Sequence, residues 1–575
     1  MKRNLKNIIM ILIIIAVGVC SYFTMKDTQK NQTMPEGGPG QGMTSANGEN
    51  QGTPPQMPSE NSNNSNNKME EPPAKPDENN SSNNAGTPPE MPNGNNNQNN
   101  GQAPKDMPNM NEQNSVSNIK TVHYIMFGME AFIISTLIIY LIMSKFNKLT
   151  IKETLNETNK IIIFILLIII ITTILTFIQT YNSVSKSGDT EIDGTDETLT
   201  SSYTTSESDK SVILVENGGN LTLDGATVTK TGGDSSNTEN SEFYGVNAGI
   251  LVTENSTATI KNATISTNAK GSNAVFSTGT NSKIYISDST ITTTGSGSSR
   301  GLDTTYGGYI EADNVNIKTQ GGSCASLATD RGEGTVIAKN SKLETNGSGS
   351  PVIYSTGDIS ISNTTGTANG SQMVVIEGKN SATVTNSTLT ASGKGNRGDT
   401  DQAGIMIYQS MSGDAGEGTG TFSAENSSLS IQANSNYYKT ASMFFITNTD
   451  AVINLKNCKL SYGSNILISS KGTSEWGNSG SNGGDVTLNA ENQTLEGNIE
   501  IDNISTLNMN LNNSSYKGMI NSDNTAKEIT LKLDSNSSIT LTGDSYITSL
   551  EDSDTSYSNI NFNGYKLYVN GTAIN

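Results

Sequence analysis

Between residues 221 and 462 the chain alternates apolar and polar residues in short bursts, arranged in pairs about an Asn or Asp. The phrases are LTLDGATVT (221–229), ATIKNATIST (258–267), KIYISDSTITT (283–293), YIEADNVNIKT (309–319), TVIAKNSKLET (335–345), DISISNTTG (358–366), ATVTNSTLTAS (382–392), FSAENSSLSI (422–431) and INLKNCKLSY (453–462). A period of two over four to five residues predicts strands with one buried face. The aligned polar residues are Asp224, Asn262, Asp288, Asp313, Asn340, Asn363, Asn386, Asn426 and Asn457, with steps of 26, 25, 27, 23 and 23 from Asn262 to Asn386. A further short strand falls between phrases: AGILVT, AVFST, RGLDTT, ASLATD, PVIYST, MVVIE, GIMIYQ, MFFITN and ILISS.

Three short strands in a unit of about 25 residues, without helical periodicity, match one coil of a parallel β-helix and are too short for a propeller blade. Stacked coils pair each strand with its equivalents above and below, roughly 4.8 Å away. Ile260, Ile265, Ile286 and Ile291 then form inward aliphatic columns. The Asn or Asp marks the corner between two strands, where a residue must tolerate left-handed backbone and bond neighbouring amides. After about residue 480 the strands DVTLNA, EITLKLD and SITLTG keep a looser period, expected to finish and cap the solenoid.

These repeats, aliphatic ladders and Asn corners resemble the right-handed parallel β-helix proteins of the pectin-lyase-like superfamily, over about 210–575. The resemblance implies an all-β solenoid. For function it leaves a choice between polysaccharide lyases and hydrolases on one side and tailspikes and adhesins on the other. No enzyme motif of that group matches residue by residue.

Long apolar runs precede the repeats. Residues 8–24 follow the basic start MKRNLKN and read as a signal peptide or signal anchor within 1–25. The runs at 124–143 and 161–180 are each long enough to cross roughly 30 Å of hydrocarbon. Spans are therefore expected in 121–145 and 161–181, joined by a loop at 146–160. Lys2, Arg3, Lys6, Lys145, Lys148, Lys152 and Lys160 outweigh the cations on the opposite side, which puts the N-terminus and that loop in the cytoplasm. Glu130 lies inside the second run and is read as a carboxyl bonded to Thr172, Thr173 or Thr176. Residues 26–120, rich in Asn, Pro and Met, cannot bury a core and are expected to be a disordered extracellular linker. An acidic Ser/Thr-rich linker is expected at 182–209, followed by the extracellular solenoid. Together with the anchor, the repeats resemble a membrane-anchored bacterial surface protein; no LPxTG sorting signal occurs.

Composition narrows the chemistry. A net charge of −20 argues against nucleic acid as a partner. His123 is the sole histidine, which removes His-based zinc sites and Ser-His or Cys-His catalysis. Cys20 lies in an apolar run; Cys324 and Cys458 are the one pair available for a disulfide. No cofactor is expected; DTEIDGTDE (189–197) could hold calcium but lacks the full EF-hand spacing and reads as a solvated acidic segment. Arg300, Arg331 and Arg397 fall beside Asp303, Asp330 and Asp399. Those acids are the candidates for hydrolysis (Asp303, Asp330), set against surface ion pairs. Alternation turns Leu251, Phe276, Ile353, Met406 and Phe445 outward, either as a binding stripe or beneath long loops such as 228–247 and 409–420. With Arg300, Arg331, Arg397, Tyr306 and Tyr354, the stripe makes a candidate glycan-binding surface. The sequence reading is thus a surface binding module for glycan or another cell surface, with a tethered polysaccharide lyase or hydrolase as the competing class.

Overall fold

The computed structural model describes residues 184–397 and 400–575. The expected spans, the Met-rich linker and Glu130 lie outside the described residues, within which no helix is long and apolar enough to cross a membrane.

Successive strands deal themselves in rotation into three long parallel sheets, as a β-helix requires. The first sheet has 12 strands, from Gly188–Asp193 to Asn498–Ile501; the second has 14, from Asp196–Leu199 to Ser549–Asp552. The third runs through 10 strands, from Ser202–Thr205 to Lys459–Ser461, and a four-stranded sheet follows it, from Thr494–Glu496 to Ile560–Asn561. A small sheet of Ser545–Ile547, Leu567–Val569 and Thr572–Ala573 ends the stack, its last pair antiparallel. Residues 188–205, expected as linker, supply the first coil. Their acidic side chains face solvent, while Ile192 is buried, so the acidity belongs to a strand surface.

The aliphatic columns run as the alternation predicts: Leu223, Ile260 and Ile286 are in register in the second sheet, and Val228, Ile265, Ile291 and Ile317 in the third. Each fully buried aliphatic side chain contributes about 1.5–3 kcal/mol. Gly366 interrupts the third-sheet column because Leu389 and Val352 occupy its space; a Cβ there would stand 2.5 Å from Leu389 Cδ2.

The corner rests on two ladders. Asn262, Asp288, Asn340, Asn363, Asn386, Asn426 and Asn457 all take positive φ near 50°. In two coils the corner is one residue later than expected: Gly225 and Asn314 adopt it, and Asp224 and Asp313 end the preceding strands. With Asn314 in place, the steps become 26, 26, 26, 23 and 23. Corner amides bond along the stack, Asn262 Nδ2 to Asp224 Oδ1 at 2.8 Å and Asn457 Nδ2 to Asn426 Oδ1 at 2.7 Å. The residue after the corner supplies the second ladder. Ser387 Oγ accepts from Thr364 N (3.0 Å), Thr364 Oγ1 from Ser341 N (3.2 Å) and Ser341 Oγ from Val315 N (3.2 Å), so buried amides that no strand serves are satisfied by the next coil.

Cys324 and Cys458 are both free thiols, Cys324 buried in the turn before the first-sheet strand and Cys458 at a second-to-third-sheet corner, so they form no disulfide.

Ser387→Ala removes a hydroxyl and leaves the buried Thr364 amide without a partner. It should destabilise the solenoid by about 1–3 kcal/mol in urea or thermal unfolding, whereas Ser387→Thr should stay near wild type. Equal stability of the alanine variant would contradict the hydroxyl ladder.

Candidate functional site

Once the inward positions of the first sheet are committed to the core, its outward column is free to vary. That column reads Leu214, Leu251, Phe276, Asp303, Ala328, Tyr354, Val375, Met406, Phe445, Ser469 along the stack. Its apolar members are not exposed. The segment 231–249 covers one end, where Leu214, Ala248, Leu251 and Phe276 cluster. The segments at 392–397, 400–402, 409–419 and 471–483 roof the other, where Val375, Met406, Tyr408, Phe445 and Trp476 cluster. Of the two readings of the stripe, burial beneath loops is the one that holds. Ile353 departs from its expected place: it pairs with Leu327 and Val374 and points into the core, so Tyr354 takes the outward position. Val352, the residue before Ile353, is also in the core, where its methyls lie against Gly366.

The roof at 231–249 carries a seven-residue helix, Thr238–Tyr244, capped by Asn237 and ended by Gly245 at φ 67°. Thr305 Oγ1 donates to Phe243 O at 2.8 Å and Asn273 Nδ2 to Ser241 O at 3.2 Å, fixing the helix to the sheet. Gly245 is required by close approach as well as by φ, since a Cβ would stand 2.4 Å from the Phe276 ring.

Between the two apolar clusters lies a polar cleft with a cavity of about 80 Å³, room for several water molecules. Arg300, Asp330, Tyr354, Arg397 and Met406, all expected at the site, line it. Arg300 Nη1 bridges two acids, 2.8 Å from Asp303 Oδ2 and 2.7 Å from Asp330 Oδ2. Asp303 is sealed beneath at 0% exposure, and its Oδ1 has no hydrogen-bond partner. Arg331 lies over the Phe243 ring at 3.7 Å and holds Asp414 Oδ1 through Nη2 (2.6 Å) and Nε (3.1 Å). Arg397 pairs with Glu475 at 3.5 Å and lies 5.9 Å from the Trp476 ring, tying two roof segments together. Tyr306 is outside the cleft, stacked on Tyr244 at 5.5 Å. Phe276 and Phe445 are buried under the roof. Asp399 lies outside the described residues.

Several site residues had no sequence signal. Glu377 and Tyr408 are in register on neighbouring strands. Glu377 Oε2 accepts from Tyr354 and Tyr408 hydroxyls, both at 2.9 Å, and Oε1 from Ser410 Oγ and N. Asp401 is held by the amides of Asn396 and Arg397, both at 2.9 Å. Trp476, the one tryptophan of the chain, packs edge-on to Tyr408 at 5.1 Å. Its uniqueness was the only available hint. Among the described residues no group of three or more acidic, His or Cys side chains is placed to hold a metal.

Burial dominates the titration of this cluster. It pushes Asp303 up to about 7 against the pull of Arg300, with Asp330 adding to the rise. Glu242, on the roof helix and bonded by Ser298 Oγ, is likewise raised to about 7 by burial. Asp330, Glu377 and Asp401 are also raised by burial.

Comparison with known proteins finds no matching family model, no matching curated protein and no matching solved structure.

A carboxyl whose pKa is higher folded than unfolded favours the fold below its unfolded value and loses that contribution as pH rises through the folded one. For Asp303 and Glu242 the window runs from their ordinary 3.8 and 4.5 to about 7. The melting temperature should fall by a few degrees across that window, and Glu242→Gln should flatten the slope. A wild-type profile that is level across it, or rises, would contradict the assigned burial.

Proposed function

We propose that this chain is a membrane-anchored cell-surface β-helix protein, of the pectin-lyase-like kind, that binds glycan in the roofed cleft of its first sheet without turning it over. The apolar runs at 8–24, 124–143 and 161–180 and the cation asymmetry around them support the anchor and an exterior solenoid. The observation that carries the binding reading is the cleft itself. Tyr354, Tyr408 and Trp476 give it aromatic walls, while Arg397, Gln372, Asp414 and Ser412 line it with polar groups. Sites of this build, concave with a few convergent polar groups among aromatic walls, fit small ligands or chain ends.

The sequence-level catalytic pair suits chemistry poorly. Asp303 is sealed from solvent, and Arg300 stands between it and Asp330. A second reading, a polysaccharide hydrolase, draws on Glu242 instead: a partly exposed carboxyl raised to about 7 in the cleft is suited to a general acid.

A glycan array probed with the full-length chain, followed by reducing-sugar and unsaturated-product assays on each hit, separates the readings. Binding without product, weakened about tenfold or more by Trp476→Ala, is the expected outcome. Product formation abolished by Glu242→Gln would replace the binding reading with the hydrolase.

A further inference from the structure

The roof loops 409–419 and 471–483 have a second side. Along 409–412 the side chains alternate: Ser410 and Ser412 line the cleft, while Gln409 and Met411 line a separate groove of about 520 Å³. In the other loop Trp476 lines the cleft and Asn478 the groove. Both loops are pinned in place. Asn448 Nδ2 donates to Gln409 O at 2.7 Å, Thr449 Oγ1 to Gly418 O at 3.1 Å and Asn482 Nδ2 to Trp476 O at 2.7 Å. Sites for small ligands enclose about 300–1,000 Å³. The groove falls in that range, whereas the cleft, at about 80 Å³, has room only for the end of a chain.

The groove asks for hydrogen-bond donors. Gln409 is 4% exposed; its Nε2 donates to Ala415 O at 3.3 Å, and its Oε1 has no hydrogen-bond partner. A buried acceptor left unpaired is costly, and a ligand hydroxyl relieves it. Glu417 and Asp450 add exposed carboxylates, and among the described residues no lysine or arginine lines the groove. Met411, 55% exposed, offers an apolar surface to the C–H face of a sugar ring.

We infer that this groove is a second saccharide subsite, taking neutral sugar residues whose hydroxyls donate to Gln409 Oε1, Glu417 and Asp450. The inference rests on the glycan-binding reading and names a ligand class. Uronates are disfavoured, because the groove presents acceptors and no cation.

Isothermal titration of the detergent-solubilised full-length chain with gluco-, manno- and galacto-hexasaccharides and with oligogalacturonate tests it. A neutral oligomer should bind about tenfold tighter or more than the uronate. Gln409→Leu should weaken that oligomer about tenfold. Glu417→Ala, on an exposed loop, should weaken it about threefold or more, and decides the matter where the leucine variant fails to fold. Wild-type affinity in either folded variant, with Trp476→Ala still weakening the oligomer, would overturn the inference and leave the cleft reading standing. Equal or tighter binding of the uronate would overturn it as well. Binding by none of the four sugars would remove both readings.

Discussion

Everything in the solenoid depends on turning the chain at one corner without leaving a buried amide unpaired. The second- and third-sheet strands meet at a residue in left-handed backbone, a conformation that costs most side chains about 1–2 kcal/mol and that Asn, Asp and Gly tolerate. The residue after it lends a hydroxyl to the backbone of the coil before, as Ser387 does for Thr364. Repeated along the stack, these two requirements explain why Asn, Ser and Thr crowd a chain with only 33% apolar residues. The core itself needs little: one or two aliphatic side chains per strand, stacked on their equivalents.

That economy also locates the cleft. Two of the three faces alternate polar residues outward along strands joined by tight corners. The first sheet differs because its strand ends carry the long insertions, 231–249 and the stretch with 392–397 and 400–402 before a strand and 409–419 and 471–483 after one. Insertions at these ends fold back over the outward column and exclude water from it. An apolar column thereby becomes the floor of a cleft, and the acids of the roof, Glu242, Asp401 and Asp414, meet those of the floor, Asp303, Asp330 and Glu377. Desolvation follows from that meeting, and it raises the carboxyls of Glu242, Asp303, Asp330, Glu377 and Asp401.

Periodicity made the repeat, the aliphatic columns and most of the corners legible in the sequence, because each is a local pattern copied coil after coil. Where it misled, a single residue was at fault. Asp224 and Asp313 stand beside the true corners Gly225 and Asn314, and Ile353 lies in a strand of three residues, too short to reveal its own register. Arg300, Asp303 and Asp330 could be nominated because they flank successive strands of one repeat series, and they do meet. Glu377, Asp401, Tyr408 and Trp476 could not, since they sit in insertions or at strand ends without a repeat, and only the folding of the roof brings them together. The ion pairs of Arg331 with Asp414 and of Arg397 with Glu475 were illegible for the same reason: those acids lie on loops far along the chain.

The central claim is that this chain works through the roofed outward face of its first sheet. Hydrogen exchange of the full-length chain, with and without the tightest glycan from an array, addresses it most directly. The account predicts added protection in the segments 409–419 and 471–483 and in the strands Val374–Glu377 and Ala403–Tyr408, with the second and third sheets unchanged. Protection confined to the outer faces of those two sheets, with the roof unaffected, would contradict it.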